Sequence, residues 1–90
     1  MINSLPCGGY KRLTATANVA AYASNILGVL CATTTAGTIQ FYDDAATGTT
    51  TPITGVITPA AGSWTPIPAS TSKGIYAVIG GTLDCTVIFA

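Results

Sequence analysis

The chain has no histidine, and only three basic and three acidic residues among its 90. Without histidine it lacks the side chain best suited to general acid–base catalysis near neutral pH. A paired-carboxylate mechanism would have to join Asp84 to Asp43 or Asp44, since no other acids exist. Cys7, Cys31 and Cys85 have no histidine base and show no CxxC spacing, so neither a thiol nucleophile nor a zinc site is indicated. The "CGG" at Cys7 and the Gly80-Gly81 pair lack the lysine and the strand–loop–helix setting of a phosphate loop. The reading is of a protein that is not an enzyme, with no catalytic residues, no metal site, no cofactor and no small-molecule substrate.

The scarcity of charge excludes partners as well. Lys11, Arg12 and Lys73 balance Asp43, Asp44 and Asp84, so the net charge is zero. No basic patch exists to neutralise phosphates, which speaks against nucleic acid. No basic amphipathic helix is encoded, which speaks against a membrane surface. Long apolar runs are missing too: "VAAYASNILGVLCA" is broken by Ser24, Asn25 and Gly28, short of the roughly 18 apolar residues of a spanning helix. Lys11-Arg12 followed by "LTATANVAAYA" imitates an export signal, but Thr14, Thr16 and Asn18 make its core too polar. No export signal and no membrane segment are expected. An odd number of cysteines argues against a secreted disulfide scaffold and suits synthesis in a reducing cytoplasm, the thiols serving as small hydrophobes.

Charged residues make up 7% of the chain, against roughly 25% in ordinary soluble domains. A free monomer with so little charge tends to associate. Thr, Ser, Asn and Gly can keep a surface wet without charge. Coverage of much of the surface by other subunits is the favoured alternative, because a small domain leaves so much area to cover.

What the chain does have is apolar alternation. Hydrophobic residues reach 49%, and they recur with period two in short runs rich in Val, Ile, Thr and aromatics, the strand pattern. "YKRLTATANV" alternates around Leu13, Ala15 and Ala17. "ILGVLCAT" sets Leu27, Val29 and Cys31 against Ile26, Gly28 and Leu30. "TIQFY" sets Ile39 and Phe41 against Tyr42, and "PITGVIT" sets Ile53 and Ile57 against Val56. "GIYAVIG" and "LDCTVIF" follow, the latter aligning Leu83, Cys85, Val87 and Phe89. Residues 15–23 also permit a short helix, though Thr16 and Asn18 favour strand. Such spacing predicts an all-β fold, a small antiparallel β-sandwich of jelly-roll type, in one domain over residues 10–90. Residues 1–9, punctuated by Pro6 and Gly8-Gly9, read as an extended N-terminal arm that could reach a neighbour.

Thr-Pro occurs at Pro52, Pro59 and Pro66, a spacing of seven residues. An odd period cannot hold one strand face, so the reading is a short strand over 52–58, a turn at "PAAG" and an edge strand around Trp64. Asp43-Asp44 ends the "TIQFY" strand and is read as turn chemistry, accepting hydrogen bonds from the amides that follow. Adjacent strand residues point to opposite faces, so the two carboxylates are not expected to grip one ion. Asp84 is expected to face solvent or to pair with Lys73 across the "GIYAVIGGT" hairpin. Tyr10, Tyr22, Tyr42, Tyr76 and Trp64 could form a sugar-stacking platform, or serve as core and interface anchors.

The succession "GVLCATTTAGTIQFYDDAATGT", "ITGVITPAAGSWTPIP" and "GIYAVIGGTLDCTVIFA" resembles a type of small tailed-phage virion protein over residues 18–90. The shared features are a Gly-Thr-Ile strand ending in Tyr-Asp, an "ITP" turn, a Gly-Ile-Tyr strand and a terminal Asp-x-Thr-Val strand. The resemblance implies a β-sandwich structural protein of a bacteriophage virion, above all a capsid decoration (cement) protein. Such a subunit would sit on the capsid surface as a homo-oligomer, in the first instance a homotrimer, its partners the major capsid protein and copies of itself. A head-fibre or tail component is the alternative within the virion, and a small glycan-binding module the alternative outside it. The interface candidates are Asn3, Leu5, Pro6 and Tyr10 in and beside the arm, and Trp64 and Pro66 near the edge strand.

Overall fold

The structure, a computed structural model, describes residues 9–90. The expected all-β antiparallel class is what forms. The strands are β1 (Gly9–Leu13), β2 (Ala17–Ala20), β3 (Asn25–Tyr42), β4 (Trp64–Ser70) and β5 (Ile75–Phe89), joined in one five-stranded sheet. Residues 15–23 resolve to strand, since β2 occupies Ala17–Ala20. The "YKRLTATANV" run is broken, however: β1 and β2 are separate strands, and both pair with β5, β1 along residues 85–89 and β2 along 75–77.

Two long strands organise everything else. The "ILGVLCAT" and "TIQFY" runs are not separate strands but one, the 18-residue β3. Likewise "GIYAVIG" and "LDCTVIF" fuse into the 15-residue β5, so the expected hairpin between them does not exist. Alternation alone could not show this, because at Thr35–Gly37 and Gly80–Gly81 the chain bulges rather than turns back. The β3–β5 ladder slips at three places, between Ile26 and Gly28, Cys31 and Thr33, and Thr35 and Thr38. Each slip adds one residue to β3, and each bulge bends the strand and increases its twist. At the last of them Ala36 and Gly81 both take the left-handed conformation, with φ of 52° and 67°.

The bulges also reset which side chains point inward. At the first slip Ile26 joins Val29 and Cys31 on the buried face, where strict alternation had put it opposite them. Ile39, Phe41, Ile75, Ala77, Leu83, Cys85 and Val87 complete the centre of a core that is 0–1% exposed. Val29 and Val87 lie at one end of the ladder, Phe41 and Ala77 at the other, yet all belong to one cluster. No helix is present among the described residues; Ile67, Ala69 and Phe89 of the strands and Ile53 and Ile57 of the connection between β3 and β4 pack against this core. Burying a side chain such as Phe41 stabilises by roughly 1.5–3 kcal/mol, so this core carries the fold.

The segment expected as a strand over 52–58 is not a named strand. It makes isolated bridges, Tyr42 with Pro52 and Ile39 with Ile57, and follows the edge of β3 through bonds such as Ile57 N–H to the Ile39 carbonyl at 2.8 Å. Ile53 and Ile57 pack on the core while Val56 stays exposed. The "PAAG" turn is present, closed by the Ser63 N–H donating to the Ala60 carbonyl at 3.1 Å.

Candidate functional site

Among the described residues, neither thiols nor carboxylates assemble into a reactive centre. Cys31 and Cys85 are buried in the core. Among the described residues no three His, Cys, Asp or Glu side chains lie close enough together to hold a metal ion. Asp43 and Asp44 serve the backbone. Asp44 accepts from the Ala46 N–H at 2.7 Å, the local turn expected of it. Asp43 instead reaches across the chain to the loop before β5. It accepts from Ser72 N–H and Oγ–H at 3.0 Å each, from Lys73 N–H at 2.9 Å and from Gly74 N–H at 3.3 Å. These bonds, the Ser72 amide first, hold the Asp43 carboxyl below its usual pKa, and the Ala46 amide does the same for Asp44.

Asp84 does not pair with Lys73. Its partner is Arg12, whose Nε–H and Nη2–H donate to the two carboxylate oxygens at 2.9 and 2.6 Å. Register explains the choice. Arg12 stands opposite Thr86 on the β1–β5 ladder, which makes Asp84 its diagonal neighbour on the same face. Each group favours the charged form of the other, so the Asp84 pKa is lowered and that of Arg12 raised. Lys11 points to the other face, its Nζ donating to the Asn18 carbonyl at 2.7 Å. The two cations of the Lys11-Arg12 dipeptide therefore point to opposite faces, and of the two it is Arg12 that is paired with a carboxylate.

The outward face of the sheet offers a more coherent arrangement. Two rows of residues cross it in register. The first runs Tyr10, Ile88, Gly28, Pro66 and the second Arg12, Thr86, Leu30, Trp64, over β1, β5, β3 and β4 in turn. Neighbouring strands lie about 4.8 Å apart, so each row spans roughly 14 Å. Apolar side chains dominate, with Tyr10 73%, Trp64 46% and Leu30 45% exposed. Its one charged pair, Arg12 with Asp84, is internally neutralised.

Three of the sequence-derived interface residues, Tyr10, Trp64 and Pro66, thus come together on one face, Tyr10 from β1, which also takes in Gly9, the last residue of the expected arm. Asn3, Leu5 and Pro6 lie outside the described residues. Leu30 and Ile88 belong to the same face and were not singled out from sequence. Their signal was the apolar character of both sides of their strands, which alternation shows but cannot place without register.

The outer edge of β4, which pairs with no further strand among the described residues, is poorly suited to adding one. Cys31 donates to the Ser63 carbonyl at 2.9 Å and accepts from Gly62 N–H at 2.8 Å, so alternate residues of β3, including Val29, also turn their backbone groups toward β4. Thr65, opposite Val29, faces back, and Trp64 and Pro66 direct their backbone groups to the open side. A proline there removes a donor from the edge, as edges that resist pairing commonly do. Pro68 falls where the β3–β4 register shifts. A cleft of about 300 Å³ opens at this irregularity, lined by Asn25, Ile26, Leu27, Pro68, Ala69 and Ser70, with no charged group.

No protein-family model, no curated protein and no solved structure matches the chain.

Proposed function

We propose that this chain is a non-enzymatic structural subunit that associates with copies of itself through the outward face of its sheet and coats a larger protein shell. The specific form is the one implied by the sequence resemblance: a decoration protein on the head of a tailed-phage virion, bound to the major capsid protein. The observation that carries the reading is the pair of registered rows ending in Pro66 and Trp64, an apolar face on a chain with so few charges. Exposed Tyr and Trp are the residues that anchor protein interfaces. The proline on the β4 edge favours contact through the face over strand addition. Many identical weak contacts around a shell supply avidity that a single contact lacks.

Particles released by cells carrying the gene, banded on a density gradient and analysed by quantitative mass spectrometry, test the reading. The chain should be present in many copies per particle, and gold-labelled antibody should mark the whole shell. Absence from the particles would overturn the virion reading. Label at one vertex would replace the shell by a fibre or tail. Saturable binding of a glycan by a monomeric chain, lost in Trp64→Ala, would replace both with the sugar-platform reading.

A further inference from the structure

Cys31 and Cys85 are register partners at the middle of the β3–β5 ladder, both 0% exposed and both free thiols. In an antiparallel ladder the N–H and C=O of one residue point to the same side. Those of Cys31 are both engaged with residues 62–63, on the β4 side, so neither is directed at β5. The Cys31–Cys85 pair is therefore of the non-hydrogen-bonded kind, in which Cα atoms stand about 4.5 Å apart and side chains are closest. That separation lies within the roughly 4.4–6.8 Å that a disulfide spans. Both side chains point into the core, between Val29 and Val87 on one side and Leu83 on the other. Burial, with the neighbouring Cys31 adding to it, pushes the Cys85 thiol up to about 11, which keeps it unreactive while the sheet is closed.

We infer that Cys31 and Cys85 are a modification site: they form an intramolecular disulfide when the chain folds in, or is exposed to, an oxidising medium, stapling β3 to β5. A small-molecule disulfide such as oxidised glutathione is the oxidant. One cysteine, as thiolate, attacks a sulfur of the reagent, forming a mixed disulfide and releasing one glutathione thiolate. The other cysteine then attacks the protein sulfur of that mixed disulfide and releases the second. The chain loses two protons and two electrons in all, and the reagent is reduced to two thiols. Because both sulfurs are covered, the folded chain reacts only as the central strands part, whereas a refolding chain reacts freely.

The test uses the full chain carrying Cys7→Ser, which leaves these two thiols alone, refolded from denaturant in reduced and oxidised glutathione. Intact mass without reductant should fall by about 2 Da relative to the reduced chain. Digestion should yield a peptide linking Cys31 to Cys85, and the oxidised form should melt several degrees higher. The further substitution Cys85→Ala should give a glutathione adduct or a free thiol and no link. Two free thiols after oxidative refolding, or adducts with glutathione and no internal link, would overturn the inference. So would a linked form that melts lower than the reduced one.

Discussion

Trp64 lies against Gly28 across the β3–β4 ladder, so closely that a Cβ added to Gly28 would stand 2.7 Å from the ring atoms Cη2 and Cζ2. The same Cβ would meet the Thr65 carbonyl oxygen at 2.5 Å. The glycine thus makes room for the indole, and the indole shields a stretch of strand that has no side chain of its own. Gly28→Ala should destabilise by about 1–3 kcal/mol, the usual range for overpacking. It should also change the fluorescence of Trp64, the chain's one tryptophan. Equilibrium denaturation followed by that fluorescence checks both. An unchanged midpoint would mean that the ring is not seated there.

Asp43 fastens the loop before β5 to the end of β3, and its ionised form is what the four donors hold. Its pKa is lowered in the folded state, so its contribution is complete above the ordinary carboxylate pKa. That contribution is lost as pH falls through the lower folded value. Asp43→Ala should cost about 1–2 kcal/mol at pH 7. The difference from the parent chain should shrink as the pH is taken below about 4. Thermal melts across this range measure it.

Arg12 and Asp84 should show a coupling in a double-mutant cycle at low ionic strength that fades when salt is raised, because Arg12 is 67% exposed. Lys73 and Asp84 should show none. Coupling between the latter pair would contradict the register that places Arg12 beside Asp84.

Ala36 and Gly81 meet at the last of the three bulges, both with positive φ. A Cβ on Gly81 would overlap the Ala36 carbonyl oxygen, so Gly81→Ala combines backbone strain with a clash. A loss of roughly 2 kcal/mol or more is expected. Ala36→Gly relieves an L residue of its left-handed conformation and should be tolerated or mildly stabilising. Chemical denaturation of the two variants separates these opposite signs.

The legible part of this fold was what period-two alternation reports. Ile39 with Phe41, and Leu83, Cys85, Val87 and Phe89 together, could be placed on common faces from their runs alone; the structure buries all of them except Phe89, which is partly buried against the core. Continuity was not legible. A Gly-Gly pair at residues 80–81 reads as a turn, and only pairing with β3 turns it into a bulge within one strand. For the same reason the partner of Asp84 was missed. Lys73 is near in sequence, whereas Arg12 is near only once β1 has docked on the last strand. The interface residues follow the same division. Trp64 and Pro66 were marked by their residue types, but their alignment with Tyr10, Leu30 and Ile88 depends on a register that the sequence does not display.

The molar mass of the purified chain in solution, by light scattering behind a sizing column, tests the central claim most directly. The 9.0 kDa chain should elute as a closed oligomer of several copies. Leu30→Asp, which places a charge in the middle of the outward face, should return it to a folded monomer with an unchanged circular-dichroism spectrum. A parent chain that stays monomeric at every concentration up to the millimolar range would contradict the account.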